Sequence, residues 1–435
     1  MGLRTTFTAL ALGATLLAAP AQAVDVQEAV SPEGTTFWLV EEQTIPIVSV
    51  EVWFEGGGRL DPEDRPGLSR LTIGLIDEGS GGMDAVAYSK ARDELAARFG
   101  FGVERDRVTV SATMLAEEAT ASAALLGTVL AEPRFDLDAV DRVRAQMLSS
   151  LASSETDPNS VASKRWYARA FPDHPYGRPL DGTKESVTAI TREEIQAQYD
   201  TLMARSRATV AVVGAVTPVE AGALIDTILA GVPEGSSVAA PEPAGAPPAG
   251  VDVVSLPIPQ SVAIWGQQGL RRDDPDFFPA FVMNHILGGG GFSSRLMTEV
   301  REKRGLAYGV YSYLSELDGA ELYLGSVQTA NDRIAESLDV VKTEWTRMAT
   351  EGVTEEELDK AKKFLTGAFP LRFDSNSKIA GFLAFAQAED FGRDYIDRRN
   401  GLIEAVTVED IRRVAARLLD TDALSVVVVG EPAGL

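Results

Sequence analysis

The chain contains no cysteine. Disulfides, thiol nucleophiles and thiolate metal sites are therefore all excluded. Histidine is nearly absent too, with only His174 and His285 among 435 residues. The two are far apart in sequence, so no zinc site can be built from two histidines one helical turn apart. His174 lies in the turn-rich loop FPDHPYGRPLDGT and His285 late in the apolar stretch FVMNHILGGGG. Each reads as a hydrogen-bonded structural residue. Basic residues are in deficit, 40 against 64 acidic ones, for a net charge of −24. Binding a phosphate backbone needs basic patches, so nucleic acid is not expected as a partner. The acidic balance serves solubility or favours basic substrates. There is no G-x-S-x-G elbow and no G-x-x-x-x-G-K-[ST] phosphate loop. Long apolar runs are missing except at the start, where FTALALGATLLAA (7–19) falls short of the roughly 20 residues a spanning helix needs. With Arg4 before it and Ala21-Gln22-Ala23 after it, this run reads as a secretory signal peptide, residues 1–23. Its removal takes away Arg4 alone, leaving −24 − 1 = −25. The expected address is the bacterial periplasm, with no membrane insertion.

What is present is globular in composition, 45% apolar and 24% charged, and too long for one ordinary core. A Pro/Ala/Gly-rich stretch without apolar periodicity, residues 232–250, reads as an extended linker. The flanking segments, 24–231 and 251–435, resemble each other. Thr191-Arg-Glu-Glu-Ile195 opens a helix that leads to the apolar run Ala208–Gly214, and Thr407-Val-Glu-Asp-Ile411 opens one that leads to Leu424–Gly430. The offsets agree: 407 − 191 = 216 and 430 − 214 = 216. Equal offsets over two different elements indicate an internal repeat. Both halves also begin with an alternating strand, a Gly-containing turn, an Asp-Pro pair and a helix, at 45–71 and 261–287. Alternating runs at 108–115 and 320–329 add further strands. The expected fold class is α+β: two homologous domains, each a mainly antiparallel sheet with helices packed on one face.

Chemistry-bearing residues concentrate in SRLMTEVREKRGLAYGVYS, 294–312. Arg301 stands seven residues before Tyr308, where a helix runs into a strand. A guanidinium is a permanent cation with a fork of donors, and a phenol adds one more. Aimed at one point, they make an oxyanion clamp. The competing reading is a solvated helix face with i, i+4 charge pairs, followed by a strand that places Tyr308 and Tyr311 on opposite faces. The glycine run 288–291 leads directly into this segment. Gly289, Gly290 and Gly291 are candidates for close approach of a peptide backbone, against the plainer reading of a helix stop.

Several of these stretches together resemble the pitrilysin/insulinase-type zinc metallopeptidases, the inverzincins. They are SRLMTEVREKRGLAYGVYSY, the preceding GGGG, HPYGRPLDGTKES (174–186) and the strand–GGRLDPEDRPGLSRL opening. The resemblance covers essentially the whole mature chain and is to the two-domain class that includes mitochondrial processing peptidases. Catalytic members carry H-x-x-E-H after the Gly-Leu that begins the first helix. Here that region reads GLSRLTIGLIDEGS (67–80), which puts Arg70, Ile73 and Gly74 at the two histidine positions and the glutamate. Counting back from Asp157-Pro158 puts Ser150 at the position of the third ligand, a glutamate. All ligands and the general base are missing, so this chain is expected to bind no metal and to have no peptidase activity alone.

The resemblance implies a specific role instead. In paired enzymes of the class, one subunit holds zinc and the other supplies an arginine and a tyrosine across a closed chamber. Arg301 and Tyr308 match that pair. The chain is therefore expected to be the non-catalytic subunit of a periplasmic heterodimeric zinc endopeptidase. Its partner would be a homologous H-x-x-E-H subunit carrying the zinc, and its substrates peptides. The alternative is a degenerate peptide-binding or assembly protein with no part in catalysis.

Overall fold

The computed structural model describes residues 25–435. The expected signal peptide, 1–23, lies outside the described residues. The N-terminal half contains β1 (Gln27–Val30), β2 (Thr36–Glu41), β3 (Ile47–Glu55), the short ribbon β4 (Gly79–Ser80) and β5 (Met83–Asp84), β6 (Arg98–Val103), β7 (Arg107–Leu115) and β8 (Ala208–Gly214). The C-terminal half contains β9 (Gly250–Ser255), β10 (Gln260–Gln268), β11 (Ala307–Leu317), β12 (Ala320–Ala330) and β13 (Ser425–Gly430). The two main sheets run β1-β2-β8-β3-β7-β6 and β9-β13-β10-β12-β11. Without the extra edge strand β1, both follow one order: first, fifth, second, fourth, third in the chain. In each, the first and fifth strands pair in parallel and all other neighbours are antiparallel. The repeat is thus carried by topology as well as by sequence, in a two-domain α+β fold.

The helix entries follow from their caps. Thr191 accepts from Glu194 N–H and Thr407 from Asp410 N–H, each in a reciprocal capping box. The helix Val408–Leu418 buries Val408, Ile411, Val414, Ala415 and Leu418, the one-sided stripe its sequence spacing requires. Each half's own helices cover one face of its sheet. Val50 and Val52 of β3 and Val212 of β8 lie in the first core, and Trp265 of β10 and Val428 of β13 in the second.

The opposite face of each sheet is covered by a helix from the other half. The helix Pro158–Ala170 lays Ala162, Trp166 and Ala170 against Val262, Leu324, Val427 and Val429 of the C-terminal sheet. The helix Asn376–Ala388 lays Ala380, Leu383 and Ala384 against Trp38, Val40, Ala211 and Val213 of the N-terminal sheet. Period-2 alternation puts these residues on the face away from the sheet's own helices. Trp166 also donates its indole N–H to the Ser425 carbonyl at 3.0 Å. Gly266 lies under that ring: a Cβ there would sit 2.5 Å from an indole carbon.

The loop 174–183 sits at the junction of the halves. Buried Tyr176 donates to Asp106 at 2.7 Å and accepts from the Gly319 N–H at 2.9 Å. Arg107 adds contacts to Glu389 (3.3 Å) and Asp318 (3.6 Å). No helix or strand occurs between Val232 and the start of β9, yet this stretch is tied to both halves. Arg59 donates to the Ala239 carbonyl at 2.9 Å, and the Ala244 N–H to the Gly319 carbonyl at 2.7 Å. No helix among the described residues is long and apolar enough to cross a membrane.

Candidate functional site

The residues at the four degenerate zinc positions come together. Arg70 and Ile73 lie on the helix Leu68–Ile73, Gly74 caps it, and Ser150 lies on the helix Leu137–Ser154. All four line one cavity of about 410 Å³, together with Phe101, Met147 and Asp181. The donor set does not suit zinc. Ser150 offers a neutral hydroxyl, Ile73 and Gly74 offer no side-chain donor, and Arg70 places a permanent cation where a cation would bind. The one carboxylate in the wall, Asp181, is 3.4 Å from the Arg70 guanidinium. Among the described residues no cluster of three or more His, Asp or Glu is able to hold a metal.

Arg301 and Tyr308 line a second cavity, of about 700 Å³, in the C-terminal half. A wider-wound π turn, Met297–Glu302, carries Arg301, while Met297 and Val300 anchor that turn in the core. π-helical turns often mark functional positions. Glu299 draws off the other charges of the segment: it accepts from Lys303 and Arg304, both at 2.7 Å. These bonds hold its carboxyl below the usual range. The i, i+4 pairing read from the sequence therefore exists, but it leaves Arg301 out. Among the described residues the Arg301 guanidinium makes no hydrogen bond or ion pair. It lies between two rings instead, 4.4 Å from the Phe292 centroid and 4.9 Å from that of Tyr308. Cation–π contacts of this kind orient a guanidinium without using its N–H donors.

Tyr308 owes its position to a β-bulge. Between β11 and β12, Ala307 pairs with Thr329 and Gly309 with Gln328, so Tyr308 has no opposite residue. The extra residue breaks the alternation and re-aims the side chain. Tyr308 is 82% exposed although Val310, two residues on, is fully buried. Without the bulge the two would share a face. Tyr308 and Tyr311 consequently both point outward and both line the cavity, rather than lying on opposite faces.

The glycine run is tightly packed at two of its three candidate positions. Gly289, Gly290 and Gly291 do not line the Arg301 cavity. A Cβ on Gly289 would meet Asn284 at 2.6 Å, and one on Gly290 the His285 carbonyl at 2.6 Å. Those two are small so that the turn can pack. Gly291, at φ +58°, reverses the chain and delivers Phe292 to Arg301. Both histidines are structural in their surroundings. His174 Nδ1 accepts from the Tyr176 N–H and its Nε2 meets the Glu242 carbonyl at 2.9 Å. His285 stacks on Phe364, and burial lowers its pKa. Phe292, Asn159 and Arg333, all near Arg301 in space, carried no signal in the sequence.

Comparison with known proteins gives one consistent result. Residues 37–184 match the family description "Insulinase (Peptidase family M16)", and residues 189–365 match "Peptidase M16 inactive domain". A Helicobacter pylori protein named "Non-peptidase homolog YmxG" is 27% identical over 338 residues, covering 78% of each chain. A Mycobacterium tuberculosis protein, "Uncharacterized zinc protease Rv2782c", is 26% identical over 404 residues, covering 91% of this chain and 92% of that one. A solved Pseudomonas fluorescens structure described as a peptidase M16 inactive domain superposes with a TM-score of 0.89 at 30% identity. It covers 94% of this chain and 98% of that one.

Proposed function

Because the chain belongs to peptidase family M16, the insulinase family, and is an inactive member of it, we propose that it is the accessory half of a two-subunit zinc endopeptidase. Its residues do not fit zinc, so it has no hydroxide nucleophile of its own. The observation that carries the proposal is the state of Arg301 and Tyr308. Both are held at one open cavity by ring stacking and a strand bulge, and Arg301 is spared from the ion pairs that engage its neighbours.

In this reading the partner is a homologous subunit carrying H-x-x-E-H and the zinc. The pair works in the periplasm on peptides enclosed between the two chains. Tyr308 donates its phenolic proton to the scissile carbonyl, and Arg301 adds donors and charge as the oxygen becomes an oxyanion.

The test is to express the chain with an H-x-x-E-H homologue encoded beside it and to follow peptide hydrolysis. Activity should require both chains. Arg301→Ala and Tyr308→Phe should each cut turnover by about 10²–10³ while the complex still elutes intact. Unchanged turnover in both variants refutes the role. The outward tyrosines of the unpaired edge strand β11 also suit a protein that only holds peptides. Capture of a partner without a zinc motif would favour that second reading.

A further inference from the structure

The protein is acidic overall, yet no acidic residue lines the Arg301 cavity. Among the residues that form its wall, the charged ones are Arg301 and Arg333 alone. The rest are apolar or neutral polar groups, including Gln260, Gln328 and Thr329, with Asn159 contributed by the other half of the chain. This composition departs sharply from the surroundings, since acids outnumber bases 64 to 40 in the chain. The acids nearest in sequence stay out of the wall. Asp157 caps the helix Pro158–Ala170, accepting from the Ser160 N–H at 2.8 Å, and Glu299 is taken up by Lys303 and Arg304. Asp332, beside Arg333 in sequence, does not line the cavity.

Arg333 is fixed by a backbone anchor. One of its terminal nitrogens donates to the Gly305 carbonyl at 2.9 Å, in the turn that joins Arg301 to β11. Among the described residues it makes no ion pair. A guanidinium has five N–H donors, so most of the fork remains available to a ligand. Arg301 and Arg333 thus offer two cationic forks to one open cavity whose lining residues include no acid. Such a cavity attracts carboxylates.

From this we infer that the cavity selects extended peptides bearing an acidic side chain, which Arg333 binds while the peptide backbone lies at Arg301 and Tyr308. The assignment rests on the reading of Arg301 and Tyr308 as peptide-contacting residues and deepens it. It also reverses what net charge suggests, because the local charge of the cavity is opposite in sign to that of the chain.

The experiment uses the mature full-length chain and three fluorescent peptides, acetylated and amidated so that no terminal charge is present. They differ only at one central position, which is Glu, Gln or Lys. Fluorescence anisotropy should rank them Glu > Gln > Lys, with Glu preferred over Gln by about 10-fold at low salt, as for a charge-assisted hydrogen bond. The preference should shrink at high ionic strength. Arg333→Gln should abolish the Glu-over-Gln preference, while Arg333→Lys should retain part of it. Equal binding of Glu and Gln peptides, or a preference for Lys, overturns this inference and leaves the Arg301–Tyr308 reading standing. So does a preference that appears only with a free peptide C-terminus. Failure of all three peptides to bind also overturns this inference, whereas the Arg301–Tyr308 role is decided separately by turnover of the two-chain enzyme.

Discussion

Trp166→Ala is the sharpest test of how the two halves are joined. Trp166 belongs to the N-terminal half but is fully buried against the C-terminal sheet. A buried tryptophan removes about 150–250 Å² from water, worth about 4–6 kcal/mol at ~25 cal/mol/Å². That figure is an upper bound, since the unfolded chain already buries part of this area. Measured Trp or Phe truncations cost about 3–5 kcal/mol. The lost bond to the Ser425 carbonyl adds about 1 kcal/mol. Collapse of the cavity should recover little, because the residue beneath the ring is Gly266, which has no side chain to fill it. The expected loss is about 4–5 kcal/mol. Its location is as informative as its size. Hydrogen exchange followed by mass spectrometry should show faster exchange in β10 and β13, although the substitution lies some 90 residues or more away in sequence. Trp166→Phe, which keeps most of the apolar area but cannot donate, should cost about 1–2 kcal/mol. A loss below about 1 kcal/mol, or faster exchange confined to the helix Pro158–Ala170, would refute the exchanged-helix account.

Two further predictions follow from the junction and the degenerate pocket. Burial, with the nearby Asp106 charge, raises Asp318 from the usual carboxylate value near 3.8 to about 6. The folded state therefore holds this proton more tightly than the unfolded state does. The resulting stability is complete below about pH 3.8 and is lost as the pH rises through about 6. Asp318→Asn should match the wild type near pH 4 and exceed it by about 1–2 kcal/mol at pH 7–8, allowing for solvent screening. A pH-independent difference in thermal unfolding would contradict this. The combined variant Arg70→His, Ile73→Glu, Gly74→His and Ser150→Glu should bind about one zinc per chain by elemental analysis, whereas no one of the four changes alone should suffice. A Cβ at residue 74 would lie 3.2 Å from the Arg70 carbonyl and 3.6 Å from a Val143 methyl, so only a small local shift is needed. A folded, zinc-free quadruple variant would show that the four positions do not share one centre.

Much of the architecture was legible from local pattern. The common offset of 216 residues between the halves reappears as one strand order used twice. Thr191 and Thr407 marked helix starts because a capping box needs only residues three apart. Strands such as β3 and β7 declared themselves by alternation. The run Ala208–Gly214 is apolar except for Thr209 and so had to be buried on both faces. Nothing within it named the helix Asn376–Ala388 as the cover of its second face, because that partner lies more than 150 residues downstream. The surroundings of the glycine run were hidden for the same reason. Smallness forced by packing against Asn284 and His285 looks in sequence like openness to a ligand.

By itself, the sequence determined what this protein lacks and which pair of residues it keeps: no thiol, no histidine–glutamate motif, and Arg301 seven residues before Tyr308. Those are facts of residue identity and spacing, and folding does not alter them. Only the tertiary structure decided that a bulge turns Tyr308 outward, that Glu299 engages the neighbouring cations while Arg301 stays unpaired among the described residues, and that Arg333 joins Arg301 at a cavity without acids. Net charge sums over the whole chain, whereas the potential at a site depends on the few charges that the fold brings within about one Debye length of it.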